Sequence, residues 1–129
     1  MNLIAIDYGE KRVGIAKGNT EIKLALPFII LENKNNDFII SKIKEIIKEE
    51  DVSQVIIGVP VNAMGEDTKQ TNKIFDFIKL LEKEINIPII NFDERFTSRQ
   101  ANSLFESKEK KRIDDVAAMI MLQCYFDKK

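Results

Sequence analysis

The sequence predicts an α/β fold: a mixed five-stranded sheet, three antiparallel strands and then β-α units, with helices on both faces. Three observations predict it. Apolar runs of strand length recur along the chain, amphipathic helical stretches separate the later ones, and the order reads β-β-β-α-β-α-β-α. No repeat, low-complexity tract or linker breaks this pattern, so residues 1–129 are expected to form one domain.

Residues 1–9 (MNLIAIDYG) supply the strand around which the rest is organised. Leu3, Ile4, Ala5 and Ile6 form a continuous apolar run, which suits a strand covered on both faces. Asp7 follows directly, and Gly9 stands where the backbone must turn. A carboxylate at the end of a stiff central strand faces whatever crevice opens there. An Asp that merely opens a hairpin turn is the other reading of the same residues.

A hairpin through Glu10, Lys11 and Arg12 leads to a second strand over 13–16, closed by Lys17-Gly18-Asn19. Residues 22–31 (IKLALPFIIL) read as a third, at a sheet edge or interrupted because of Pro27. Asn36 or Asp37 is expected to cap a helix over 38–50 whose inward residues are Ile39, Ile43, Ile46 and Ile47. Residues 54–59 (QVIIGV) form the next strand, closed by Pro60. A polar loop with Asn62, Gly65, Glu66 and Asp67 precedes a second helix over 68–84, burying Ile74, Phe75, Ile78 and Leu81. The fifth strand, 87–92, ends in Asp93-Glu94-Arg95. Thr97 or Ser98 then caps a short helix through Phe105, and a last helix runs from Ile113 to about Asp127.

Composition restricts the chemistry. With 44% hydrophobic and 32% charged residues the chain is of the soluble globular type. No apolar run approaches a membrane span, no secretory signal layout opens the chain, and the single cysteine, Cys124, suits a reducing cytoplasm. There is no histidine, which excludes imidazole general bases, histidine-dependent nucleophile systems and the usual zinc sites. Acid–base or metal chemistry must rest on Asp and Glu, which favour hard ions such as Mg²⁺ or Mn²⁺. A net charge of −1 gives no global signal for nucleic acid, so any such binding must come from local patches.

Carboxylates follow two of the strands, Asp7 and the Asp93-Glu94 pair, and strand ends of one polarity converge on one crevice. The third acidic position lies in Ile113-Asp114-Asp115, at the start of the last helix. If Ile113, Ala117, Ile120, Met121 and Cys124 form its buried face, Asp114 lies about 60° from the centre and Asp115 about 160°. Asp114 then leans toward the sheet, whereas Asp115 suits a solvent-facing cap. Ala117-Ala118 would let the helix approach closely, although alanines are also simply good helix formers. Clustered acids need a compensating cation, and a pair of divalent ions ~4 Å apart can drive phosphodiester hydrolysis.

Several motifs stand in a specific order. They are Asp7-Tyr8-Gly9 with Lys11-Arg12-Val13-Gly14-Ile15-Ala16, then Ala25-Leu26-Pro27, then Gly58-Val59-Pro60 with Gly65. Asp93-Glu94-Arg95-Phe96-Thr97-Ser98 and Ile113-Asp114 with Ala117-Ala118 complete the set. Over nearly its whole length the chain resembles the YqgF (RuvX) family. Its members are described as Holliday junction resolvases and as nucleases maturing the 5′ end of pre-16S rRNA. The resemblance implies an RNase H-like fold with Asp7, Glu94 and Asp114 at the family's catalytic, metal-binding positions, holding Mg²⁺ or Mn²⁺, as a pair. Asp93 ranks below Glu94. It also implies pre-rRNA, with the small-subunit precursor as a larger partner, or branched DNA, with oligomeric state left open. Two departures stand out: Lys17-Gly18 where the family usually has Ser-Asp, and a segment 99–112 shorter than in relatives.

Lys11, Arg12, Arg95, Arg99, Lys108, Lys110, Lys111 and Arg112 are candidates for phosphate contacts, with ordinary solvated surface as the other reading of the 108–112 run. Tyr8 and Phe96 could stack on bases, though Phe96 suits the core better. Two further readings remain: a non-catalytic nucleic-acid-binding module, and an actin- or sugar-kinase-like ATPase, which an Asp-x-Gly before a hairpin also fits. Retention of all three acids favours the nuclease over the first, and the chain's single-domain length disfavours the second.

Overall fold

A strand that is apolar on both faces must lie inside a sheet, and β1 (Asn2–Tyr8) lies at its centre. The computed structural model describes the backbone of residues 1–59, 69–93 and 113–127, and their side chains except at 69–71, 93 and 113–116. Within these residues the five strands follow the order β3-β2-β1-β4-β5, with β2 (Arg12–Asn19), β3 (Leu24–Glu32), β4 (Val52–Val59) and β5 (Ile89–Asp93). The first three are antiparallel neighbours, and β1, β4 and β5 run parallel, so the sheet is mixed as expected.

The alternation of β1 divides two cores. Ile4 and Ile6 pack with α1 (Asn36–Glu49) and α2 (Lys69–Glu84). Leu3 and Ala5 pack on the other face against α3 (Ile113–Asp127). All four β1 side chains are fully buried. Pro27 sits in β3 at the sheet edge, where its missing N–H costs no ladder bond to a further strand. The register with β2 slips beside it, Ile15 facing Ile29 and Ala16 facing Pro27.

Several boundaries differ from the sequence reading for identifiable reasons. The helix cap is Asn35, one residue earlier than expected, with its Oδ1 accepting from the Phe38 N–H at 2.7 Å. In α1 the buried residues are Ile39, Ile40, Ile43 and Ile46, and in α2 Phe77 is fully buried while Phe75 is partly so. β2 continues through Lys17-Gly18-Asn19, which the sequence suggested would close it. Gly18 is there for close approach. A Cβ on it would lie 2.7 Å from Phe126 Cε2 and 2.9 Å from the Leu24 carbonyl oxygen. The short helix expected before Phe105 and the polar loop of 60–68 lie outside the described residues.

The face of α3 also differs. Ile120 and Met121 are buried as expected, and Ala118, Leu122 and Phe126 are buried with them, whereas Ala117 and Cys124 are only partly buried. The buried row is therefore rotated from the expected one. About its centre, Asp114 and Asp115 both occupy helical positions within roughly 60°, so helical phase no longer separates them.

A Gly18→Ala substitution is expected to lower unfolding stability by about 1–3 kcal/mol through overpacking against Phe126. Urea denaturation followed by circular dichroism measures this, and an unchanged midpoint would show that the contact yields freely.

Candidate active site

Three parallel strands end together at one edge of the sheet. Ile6 faces Ile57, Gly58 faces Phe92 and Val59 faces Asp93, so Asp7 and Asp93 stand at the same end. Their backbones are separated by two strand spacings, roughly 10 Å. Asp7 shares the alternation of Leu3 and Ala5 and so belongs to the α3 face, where it is half-buried and engaged with its surroundings.

The direction of α3 adds the third element. Phe126, near its C-terminus, packs against Gly18, which pairs with Leu3 at the far end of β1. Gln123 caps the neighbouring edge, its Oε1 accepting from the Ala25 N–H and its Nε2 donating to the Lys23 carbonyl, both at 3.0 Å. The helix then covers Ala5, Ile56 and Phe92 on its way back toward its N-terminus. Asp114 is twelve residues before Phe126, ~18 Å along a helix. Asp7 is four residues beyond Leu3, ~13 Å along a strand on that face. The first turn of α3 thus begins at the Asp7 end of the sheet, where a carboxylate also suits the positive pole of the helix.

Of the expected site residues, the structure describes the side chains of Asp7, Lys11 and Arg12, and the backbone of Asp114 in α3. Glu94, Arg95, Arg99, Lys108, Lys110, Lys111, Arg112 and Phe96 lie outside the described residues. Among the described residues no three acids stand close enough to hold a metal ion.

Lys11 and Arg12 are exposed in the β1–β2 turn beside Asp7. Sequence reasoning missed what holds that turn. Asn33 donates from Nδ2 to the Gly9 carbonyl at 2.7 Å, and its backbone N–H donates to the Lys11 carbonyl at 2.9 Å. Lys73 of α2 reaches Glu10 at 3.1 Å. A Cβ on Gly9 would stand 2.5 Å from the Arg12 carbonyl oxygen, so this turn needs glycine. A lone Asn between a strand and a helix, as Asn33 is, carries no sequence signal.

Tyr8 is not placed for base stacking. Its ring packs on Phe77 with centroids 4.5 Å apart, and its hydroxyl donates to Asn36 Oδ1 at 2.6 Å.

The family model described as "RuvX: Holliday junction resolvase" matches residues 1–128. The chain belongs to the RuvX family. A Rickettsia africae (strain ESF-5) protein named "Putative pre-16S rRNA nuclease" is 40% identical over 131 aligned residues, covering 97% of this chain and 85% of that one. Among solved structures, Thermus thermophilus RuvC superposes with a TM-score of 0.64 at 11% identity, covering 98% of this chain and 94% of that one. Fowlpox virus resolvase, solved with Holliday junction DNA, gives 0.60 at 15% identity, covering 99% and 98%. The fold of this RuvX chain is thus the RNase H-like α/β fold of the resolvases, and its family is one of nucleases.

A Tyr8→Leu substitution should cost about 1–2 kcal/mol of folding stability through the lost ring pair and hydrogen bond. Nucleic-acid affinity should hold within about twofold, since a base-stacking ring would contribute ~1–3 kcal/mol to binding. Filter binding and chemical denaturation on the same variant separate the two roles.

Proposed function

We propose that this RuvX chain is a Mg²⁺- or Mn²⁺-dependent endonuclease that trims the 5′ end of pre-16S rRNA in the cytoplasm. The carrying observation is the half-buried Asp7 at the end of the central strand, on the face where α3 begins with Asp114 in its first turn. Asp7, Glu94 and Asp114 form the proposed catalytic set. The alternation of β5 supports Glu94 over Asp93: Ile90 and Phe92 pack on the α3 side, and Glu94 has their parity in sequence.

The donor set fits a hard cation, because it consists of carboxylates in a chain with no histidine. When bound, a pair of such ions would neutralise the clustered acids and polarise the scissile phosphate. Asp7 acts as the fixed point of the site, since a strand buried on both faces gives it little freedom to move. Glu94 and Asp114 complete the grip from β5 and α3. Lys11 and Arg12, on the clamped turn, neutralise backbone phosphates and orient the strand to be cut. Arg95, Arg99, Lys110, Lys111 and Arg112 extend that track in the proposal, with the small-subunit precursor as the larger partner.

Branched DNA is the second reading, favoured by the family description and by the resolvase solved on a Holliday junction. The name of the Rickettsia africae relative favours rRNA. A non-catalytic binding module is disfavoured because Asp7, Glu94 and Asp114 are all present. Among the described residues no helix is long and apolar enough to cross a membrane.

Asp7→Asn should reduce divalent-dependent cleavage at least ~100-fold without lowering the unfolding midpoint. The assay compares a precursor-rRNA 5′ leader with a four-way DNA junction, each with Mg²⁺ and with Mn²⁺. Wild-type rates in the variant would remove Asp7 from the reaction, and faster cutting of the junction would reverse the substrate order.

Lys11→Ala should reduce the slope of log affinity against log salt by about 0.7–0.9, whatever the base sequence. An unchanged slope would mean that Lys11 does not contact a phosphate.

A further inference from the structure

Asp7 belongs to a row of residues that runs across the sheet. Asp7 faces Gly14 and Gly14 faces Ile30, so one row crosses β1, β2 and β3. Residues that face each other in neighbouring strands share a side of the sheet, and here it is the α3 side of Leu3 and Ala5. Arg12 faces Glu32 on the same side, two residues further along each strand, while Val13 and Leu31 between them turn into the other core. Ile30 ends the row on the edge strand and is 39% exposed. It borders an open concavity of about 620 Å³, lined among the described residues by Glu10, Lys11, Arg12, Ile30, Glu32 and Asn33. That volume falls within the ~300–1,000 Å³ of small-ligand sites.

We infer that this concavity is a subsite for one unpaired nucleotide of the RNA strand, its phosphate on Lys11 and its base on Ile30. The inference rests on the reading in which that strand passes Asp7, and it adds where a neighbouring nucleotide is held. Position is the first support. Ile30 lies two strand spacings from Asp7, roughly 10 Å. Stacked nucleotides rise ~3.4 Å each, which puts the held base within about three nucleotides of the phosphate at Asp7. Charge is the second. Lys73 of α2 pairs with Glu10 at 3.1 Å and offsets the acid beside Lys11. Arg12 is already engaged with its surroundings, so Lys11 is the cation assigned to the phosphate. Glu32 repels a phosphate but accepts from the N–H groups of a base edge. Ile30, on the same side of β3, offers apolar surface to the face of that base. A paired, stacked base has both its edge and its faces covered, and an unpaired one presents them.

Rigidity is the third. Asn33 donates from Nδ2 to the Gly9 carbonyl at 2.7 Å and from its backbone N–H to the Lys11 carbonyl at 2.9 Å. The turn that carries Lys11 is thereby tied to the end of the strand that carries Ile30 and Glu32. A wall formed before the ligand arrives loses less conformational freedom on binding.

Binding of a precursor-rRNA 5′ leader in EDTA, with an abasic site walked along it one position at a time, tests the subsite. With the wild-type chain, an abasic site at one position should weaken binding at least ~fivefold. With Mg²⁺ present, the cut should fall within about three nucleotides of that position. Ile30→Thr should weaken binding of the intact leader by a similar factor, yet the abasic site should then add less than ~twofold. The slope of log affinity against log salt should match the wild type, because the lost contact carries no charge. Circular dichroism and the unfolding midpoint report whether Ile30→Thr folds. If it does not, the same comparison with Glu32→Ala, at the exposed end of β3, decides. Penalties that act independently, or a leader indifferent to every abasic position, overturn the subsite. Cutting without the coupling removes the subsite alone, and the coupling without cutting upholds the subsite and removes the nuclease reading alone.

Discussion

Burial of β1 on both faces is the constraint from which the rest follows. Leu3 and Ala5 commit one face to α3 while Ile4 and Ile6 commit the other to α1 and α2. Strand periodicity leaves no choice for the next residue: Asp7 belongs to the α3 face. A slip of one residue would turn four buried side chains and Asp7 to the wrong sides at once, so the register is held by the whole core. The position of the carboxylate along the sheet is therefore secured by the hydrophobic packing of the strand that carries it.

The same packing governs α3. Ala16, Ala25 and Gly18 on the sheet, with Ala118 on the helix, are small, and they allow the helix to lie close against the strands. Phe126 occupies the space that Gly18 leaves. The direction of the helix follows, since its C-terminal end is fixed at the Gly18 end of the sheet and its first turn must lie toward Asp7. Two acidic regions nearly the length of the chain apart are in this way brought to one edge by contacts that contain no charge.

Much of this was legible from residues alone. The unbroken run at Leu3–Ile6 marked a central strand, Pro27 marked the edge, and helical spacing marked α1 and α2. The cap of α1 was misplaced by one residue because Asn33, Asn35, Asn36 and Asp37 are all acceptable cap types, and only the Asn35 bond to Phe38 chooses among them. The buried face of α3 was only partly legible: Ile120 and Met121 are buried as expected, Ala117 and Cys124 only partly. Its sequence is apolar on nearly every side, so periodicity carries little orientation, and Gly18 with Phe126 decides it from a distance. The choice of Asp114 over Asp115 therefore rests on the motif around it rather than on helical phase. Tyr8 was ambiguous for a related reason: an aromatic beside an acidic residue can face substrate or core, and Phe77 settles it for the core.

The division of the sheet into two ends keeps Lys17 and Gly18 remote from Asp7, and both are absorbed locally. Lys17 joins Glu50 and Phe28, and Gly18 admits Phe126. At the other end, Asn33 and Lys73 fix a turn that carries Lys11 and Arg12 beside the acid. Exposed lysine and arginine side chains retain most of their rotamer freedom, so a rigid backbone beneath them would give the proposed phosphate track a fixed course. Substitutions at the Gly18 end should thus be felt through stability, while on the proposed reading those at the turn should be felt through the substrate.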